Sequence, residues 1–386
     1  MIGTTAAHEA PGAKWVMAGT HRVCAPEVTL ARVRPVFARA GITRVADLTG
    51  LDEIGIPVWQ AVRPNARTLS VSQGKGATAA LAEASAVMEA IEVWHAEQVR
   101  LPAVRLSVAE MAPQLPYAVR DLPLRTRSVL SGAARLEWVA ATAWGQSDQT
   151  WVPQLCVGLD STGLTSLVPP LFFTSSNGLA SGNTAEEAIS HGLCEVLERD
   201  ALARAGTSWR GRRLDLAGVD GSCAALLERF TAAQVSVAVR DIGDLAGAAC
   251  FEAVIWSRSL PFCFTGSGCH LDAQVALSRA LTEAAQSRLT LIAGSRDDIP
   301  ASVYSKMASR RHVRDPLEQL PTPAVKWRQV AWSRATASHP GDIDVLAGVV
   351  RRCTGRMPLV VDLTRPEVGI PVVRVLAPGL DMPRSH

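Results

Sequence analysis

The chain has 386 residues, of which 48% are hydrophobic and 19% charged, a charged share below the roughly 25% of an average soluble domain. Lys and Arg number 39 against 36 Asp and Glu, a net charge of +3. That mixture excludes a disordered chain, is ample for a large core, and leaves neither a basic footprint for nucleic acid nor a polybasic arm for a membrane.

At the N-terminus, MIGTTAAHEAPGAKW lacks a basic segment followed by an apolar core, so it does not read as a signal peptide. No run approaches 18 uninterrupted apolar residues; no membrane span is expected, and the expected location is cytoplasmic. RTLSV reads as a strand entering a Gly-rich turn, SQGKG, and the Ala-rich, Pro-free stretch after it as a helix. Residues 100–150, with Pro102, Pro113, Pro116 and Pro123, read as an insertion leading into the strand TWVPQLCVGL. A second strand at Phe172 and Phe173, the turn NGLASGN and a helix through LCEVLERDAL follow. Residues 205–255 read as one helix, SCAALLERFTAAQ, then strands. PFCFTGSGCH and LDAQVALSRALTEAAQSRL repeat the strand–turn–helix order a third time. Residues 297–345 are polar and irregular, with Lys306, Arg310, Arg311 and Arg314 as a solvated basic face, and PLVVDLTRPEVGIPVVRVLAPGL reads strand–turn–strand. The eight cysteines form no C-x-x-C pair, so neither a zinc signature nor a thioredoxin-like motif is present and free thiols are expected.

Three copies of one grammar imply a duplicated unit, with cores at about 67–97, 170–204 and 261–291. Gly76 to Glu89 spans 13 residues, as does Gly182 to Glu195, whereas Gly268 to Glu283 spans 15, a two-residue drift. Three residues after each acid stands a second polar group: Glu92, Glu198 and Gln286. With no linker between them, the copies belong to one α/β domain over residues 1–386.

Residues three and four apart share a helix face. Ser85, Glu89 and Glu92 therefore form one polar stripe, and Glu187, His191, Glu195 and Glu198 another. An isolated E-x-x-E is most often a solvated surface; here the acids lie in apolar sequence and recur at matching repeat positions. If the repeats pack together the stripes converge, and five carboxylates at low dielectric repel unless cations neutralise them. Oxygen-only ligands suit Mg²⁺, which normally sits between carboxylates and phosphates; His191 is assigned to packing or hydrogen bonding. The turns ahead of the helices would offer backbone N–H groups and positive helix ends to an anion, with Lys75 adding a point charge. GKG lacks the Ser or Thr of a Walker A motif, and GSGCH does not complete a dinucleotide fingerprint. Together the segments favour Mg-nucleotide binding.

At these residues the sequence resembles the YcaO family. The pattern S-x-G-K-G followed by S-x-x-x-E-x-x-E is met by Ser72, Gly74, Lys75, Gly76, Ser85, Glu89 and Glu92. A second block is met by Asn177, Gly178, Ala180, Gly182, Asn183, Glu187, Ala188, Glu195, Glu198, Arg199 and Asp200. ALTEAAQSRL and the closing VVRVLAPGL are family-like too. The resemblance implies YcaO-type mixed sheets flanked by helices around a nucleotide site, with ATP and Mg²⁺ as cofactors. It implies Glu89, Glu92, Glu187, Glu195 and Glu198 as metal-linked acids. Arg22, Thr29, Lys75, Ser85, Asn183 and Arg199 would bind the nucleotide, and Gln286 and Arg288 would serve the phosphate or activated-amide end.

Members of that family activate a peptide backbone amide: the amide oxygen attacks ATP, and a nucleophile then displaces phosphate. A neighbouring Cys, Ser or Thr side chain gives an azoline, external sulfide a thioamide, and the peptide's own amine an amidine. Azoline-forming members commonly end in Pro-x-Pro-x-Pro, whereas this chain ends APGLDMPRSH. Segments such as GITRVADLTGLDEIGIPVWQAVRPN and EVWHAE resemble members acting beside a TfuA protein. The expected activity is therefore thioamide formation on a precursor peptide in ribosomal peptide maturation. Cyclodehydration and amidine-forming macrocyclisation rank behind it, and a nucleotide-binding docking subunit is the non-enzymatic alternative. No fused leader-binding domain is recognised, so a separate TfuA-like or leader-peptide-binding partner is expected, and a homodimer is the default for such an enzyme.

Overall fold

The computed structural model describes residues 13–159, 171–243, 247–309 and 314–382. Arg310 and Arg311 of the basic cluster lie outside the described residues, as does the Lys306 side chain; Arg314 is exposed. None of the described helices is long and apolar enough to cross a membrane.

Each repeat core is a strand that feeds a long helix. Strand Val71–Lys75 closes a three-stranded antiparallel sheet with Arg44–Asp47 and Val58–Val62, and precedes the first repeat helix, Ala79–Ala96. Strand Phe264–His270 closes a second antiparallel sheet with Ser236–Asp241 and Ala249–Trp256, and precedes the third helix, Ala273–Ala293. The middle copy differs in setting. Its strand, Leu179–Ser181, is only three residues long and borders a six-stranded sheet before the second helix, Ala185–Ala205. The C-terminal hairpin, Leu359–Asp362 with Val372–Leu376, joins that sheet and pairs Arg374 with Leu179.

Local chemistry sets the helix starts. Thr78, Thr184 and Asp272 are the three N-caps, each in extended backbone with its side chain accepting an N–H from the first turn, which satisfies an otherwise unpaired donor. Apolar faces then bury against the sheets: Val87, Ala90 and Ile91 in the first helix, Leu193, Leu197 and Ala201 in the second, and Leu277, Ala280, Leu281 and Ala284 in the third.

Asn177 and Gly178 of NGLASGN form a turn, with Gly178 at φ +75°, but the other two Gly-rich segments are strands. Ser72 to Lys75 lie within a strand, as do Gly266 and Gly268. Their glycines exist for close packing: a Cβ on Gly74 would lie 2.0 Å from the Ala86 nitrogen and 2.2 Å from the Ala82 oxygen, and one on Gly268 would lie 2.1 Å from the Ala276 oxygen. Only an absent side chain lets strand and helix backbones approach so closely. Gly74 and Gly268 thus meet carbonyls eight residues downstream in both repeats, so Gly268 corresponds to Gly74, not to Gly76. With that pairing the two-residue drift disappears: Glu89, Glu195 and Glu283 each follow their cap by 11 residues.

Other expectations were placed differently. Phe172 makes an isolated bridge with Leu124, and the strand of the second repeat lies inside NGLASGN instead. The stretch 100–150 contributes strands Ala103–Ser107 and Arg135–Ala143 to the six-stranded sheet, so it is core rather than insertion. Pro-rich spacing hid the strand Arg135–Ala143, which is buried on both faces, Leu136 and Trp138 on one and Val139 on the other. Residues 297–345 include helix Ala301–Ser309 and the start of helix His339–Thr354.

Candidate active site

The three repeat helices wall a cleft of about 710 Å³. The first helix supplies Ser85, Glu89 and Glu92; the second supplies Glu187, His191, Glu195, Glu198 and Arg199. The third supplies Arg279, Glu283 and Gln286, and Lys75 projects from the strand beneath. Arg22 and Thr29 arrive from the hairpin and short helix at the N-terminal end, and Asn183 from the cap region of the second helix. The two predicted stripes therefore do converge.

Glu187 anchors one end. It accepts from the Val23 N–H (3.0 Å), from Arg22 (3.4 Å) and from the Asn183 amide (3.3 Å), while the Thr29 hydroxyl donates to Asn183 Oδ1 at 3.0 Å. In the middle, Ser267 donates to Glu198 at 2.7 Å, and the Lys75 ammonium is in direct contact with Glu283. Arg199 lies 4.0 Å from Glu195.

The carboxylates perturb one another. Glu89 opens onto the cleft, yet protein surrounds it, and the loss of bulk water pushes its pKa up to about 7 against the pull of Lys75 and Arg296. Glu195 is likewise raised to about 7 by burial, with Glu198 adding repulsion and Arg199 opposing. Glu92 stands well above the ordinary carboxylate range, through burial first and then Glu195 and Glu89. Glu283 behaves oppositely: burial alone would raise it, but Lys75, Arg199 and Arg279 hold it below its usual value. An oxygen-only set whose members repel one another is a donor set that a hard divalent cation would relieve, so these residues fit Mg²⁺.

Gln286 and Arg288 part ways in the structure. Gln286 lines the cleft, but its amide nitrogen donates to the Gln73 carbonyl at 2.9 Å. Arg288 does not line it. Its guanidinium is buried against Asp52 (3.0 Å), Glu53 (3.1 Å) and Ser257 (2.7 Å). Two residues further along the helix, Arg288 falls on the opposite side from the stripe, so its place at a phosphate or amide end is withdrawn. His191 takes its expected hydrogen-bonding role, facing Arg279 at 3.0 Å, and burial and Arg279 keep it neutral with a pKa well below 6.5.

Glu283, though noted as the acid of the third repeat, and Arg279 were not assigned to the site from sequence. The repeat itself carried the signal for Glu283, but pairing Gly268 with the wrong glycine displaced it. Arg279 had no comparable signal. Behind the Arg22 end, His21, His270 and Asp342 bring donor atoms within 4.8 Å of one another. Lys14 (2.6 Å) and Thr336 (2.7 Å) already hold Asp342, and the Asp272 N–H donates to His270 Nδ1 at 3.0 Å. That leaves the His270 proton on Nε2 with Asp342 already paired, so the set does not fit a cation; the Lys14–Asp342 bond ties down the start of the N-terminal hairpin, and the His21 ring packs edge-on against His270.

The sequence model described as YcaO cyclodehydratase, ATP- and Mg²⁺-binding, matches residues 73–381. The chain belongs to the YcaO family. A Mycobacterium tuberculosis protein is 39% identical over 366 residues, covering 94% of this chain and 83% of the relative. The protein of the tfuA 3′ region of Rhizobium leguminosarum bv. trifolii is 35% identical over 382 residues, covering 94% and 89%. Among solved structures, the Methanopyrus kandleri YcaO bound with AMPPCP and Mg²⁺ superposes with a TM-score of 0.75 at 24% identity, over 95% of this chain and 94% of that one. A heterocyclase in complex with substrate and cofactor gives 0.76 at 23% identity; this chain covers 53% of it, about half its length. These structures share the fold. As a YcaO protein, the chain belongs to a family of ATP-dependent enzymes that modify peptides, with ATP and Mg²⁺ as cofactors.

Proposed function

We propose that this protein uses ATP and Mg²⁺ to activate a backbone amide of a precursor peptide, and that its product is a thioamide made beside a partner protein. The observation that carries the reading is the convergence of Glu89 and Glu92 with Glu187, Glu195 and Glu198, from two repeat helices, in one cleft that also holds Lys75 and Arg199. Those five acids would hold Mg²⁺, which when bound supplies charge neutralisation at the phosphates. Arg22, Thr29 and Asn183, already joined in one network around Glu187, would orient the nucleotide, with Lys75, Ser85 and Arg199 beside them. Gln286, facing the cleft and tied to the main chain, would border the amide. Phosphoryl transfer asks for positioning and charge placement rather than a covalent triad, and this cleft supplies both.

The thioamide and a TfuA-like partner are supported by the relative in the tfuA 3′ region and by the TfuA-associated segments of the sequence. Ring formation is the second reading, favoured by the family's description as cyclodehydratase. Mass spectrometry of a candidate precursor peptide after incubation with the protein, ATP, Mg²⁺, sulfide and partner separates them. Exchange of oxygen for sulfur is the expected result, and loss of one water would select the azoline. An unmodified peptide with no phosphate released would contradict the reading.

A further inference from the structure

The three repeats place an acid at one shared helical position, yet the copies are not chemically alike. Glu89, Glu195 and Glu283 each follow their N-cap by 11 residues, and the next stripe position holds Glu92, Glu198 and Gln286. Two copies thus carry a pair of carboxylates and the third carries one, since the Gln286 amide is neutral and bonds to the Gln73 carbonyl. Among the described residues Glu89 has no ion-pair partner, and Glu195 has only Arg199 at 4.0 Å. Glu283 alone has an ammonium in direct contact, that of Lys75. The pair is not buried away from the site: the two side chains are 21% and 25% exposed, and both line the cleft. Ser267 ties the third copy to the second, its hydroxyl reaching Glu198 at 2.7 Å and Glu283 at 3.5 Å.

The geometry points to Lys75 as a built-in cation that stands on the third repeat's acid where the first two repeats would hold divalent ions. The inference rests on the proposed Mg²⁺ role of the first two acid pairs. A lysine ammonium is a compact point charge, so it gives the phosphate end of a nucleotide a positive group that does not depend on free metal. The loss of the second acid is consistent with this: a monovalent cation needs one carboxylate, and a second would be left uncompensated at low dielectric.

The test counts bound Mn²⁺ by electron paramagnetic resonance on the full chain with AMPPCP. Lys75→Met should bind one more Mn²⁺ per chain than the parent protein, because Glu283 is left without its cation. Its affinity for AMPPCP at limiting Mn²⁺ should fall about tenfold and recover at saturating Mn²⁺. The double variant Lys75→Met with Glu283→Gln should lose the additional ion. Lys75→Gln, which keeps a hydrogen bond to Glu283, serves if the methionine variant does not fold. An unchanged Mn²⁺ number in the single variants, or an equal gain in the double variant, overturns the inference while leaving the metal reading intact. A parent protein that takes up no Mn²⁺ with AMPPCP overturns both.

Discussion

Buried charge separates two kinds of residue in this molecule. Arg288 and Asp52 are each only 3% exposed at the side chain, so removing one partner strands the other in a poor solvent. Arg288→Met should lower stability by about 3–5 kcal/mol, read as a shift in the urea midpoint, while AMPPCP affinity of the folded protein stays within about twofold. A large loss of nucleotide affinity at unchanged stability would return Arg288 to the site. His95 titrates in the opposite sense to a paired histidine. Burial first, then Arg365, hold its pKa down to about 4, against its bond to the Ile91 carbonyl and the pull of Glu367 and Asp362. The unfolded chain binds that proton more readily, so the contribution is complete above about pH 6.5 and is lost as pH falls toward 4, at about 1.4 kcal/mol per unit. His95→Gln should flatten that part of the stability curve; an equally steep acid limb in the variant would contradict the assignment.

At the scale of elements, the glycine-marked strand–helix contact decides whether a repeat forms. Gly74→Ala would drive a methyl group into the Ala82 carbonyl and Ala86 nitrogen of the facing helix, and backbone cannot yield as a flexible side chain does. The expected result is a loss of about 3 kcal/mol, the upper end of overpacking costs, with weakened nucleotide binding, measured by calorimetry. Gly41→Ala, where nothing lies within 4 Å but φ is +73°, should show only the smaller backbone penalty of about 1 kcal/mol. Equal effects would mean that close packing is not the reason for Gly74. These contacts also explain what could be read in advance. The helices and their acids were legible because helical composition and the three- and four-residue spacing of a helix face are local. Gly74 and Gly268 were visible but misread as turn glycines, since a glycine needed for approach to a distant helix looks the same in sequence as one needed for a bend. The strand Arg135–Ala143 was lost for a related reason: its partners Ala103–Ser107 and Leu359–Asp362 are distant in sequence, the first across a stretch holding Pro113, Pro116 and Pro123.

For the molecule as a whole, the repeats assemble two antiparallel sheets, the longer sheet and three helices so that acids distant in sequence share a single cleft. Convergence of the first two stripes was legible because it follows from the duplication. The N-terminal Arg22 and Thr29 were legible only through family resemblance, for nothing local in GTHRVCAPEVT signals a contact with Glu187. A ligand that joins all three helices binds only the native state, so saturation at a hundredfold excess over Kd should add about 2.7 kcal/mol. Thermal unfolding with AMPPCP and Mg²⁺ should therefore move upward, and EDTA should erase the gain. A shift that survives EDTA would argue for nucleotide binding without metal.

The most direct measurement is anomalous scattering from crystals of the protein grown with AMPPCP and Mn²⁺. Peaks are expected in contact with carboxylates of both the first and second repeat helices, among Glu89, Glu92, Glu187, Glu195 and Glu198, with phosphate oxygens completing their coordination. Ions bound to one helix only, or a nucleotide seated outside the cleft, would contradict it.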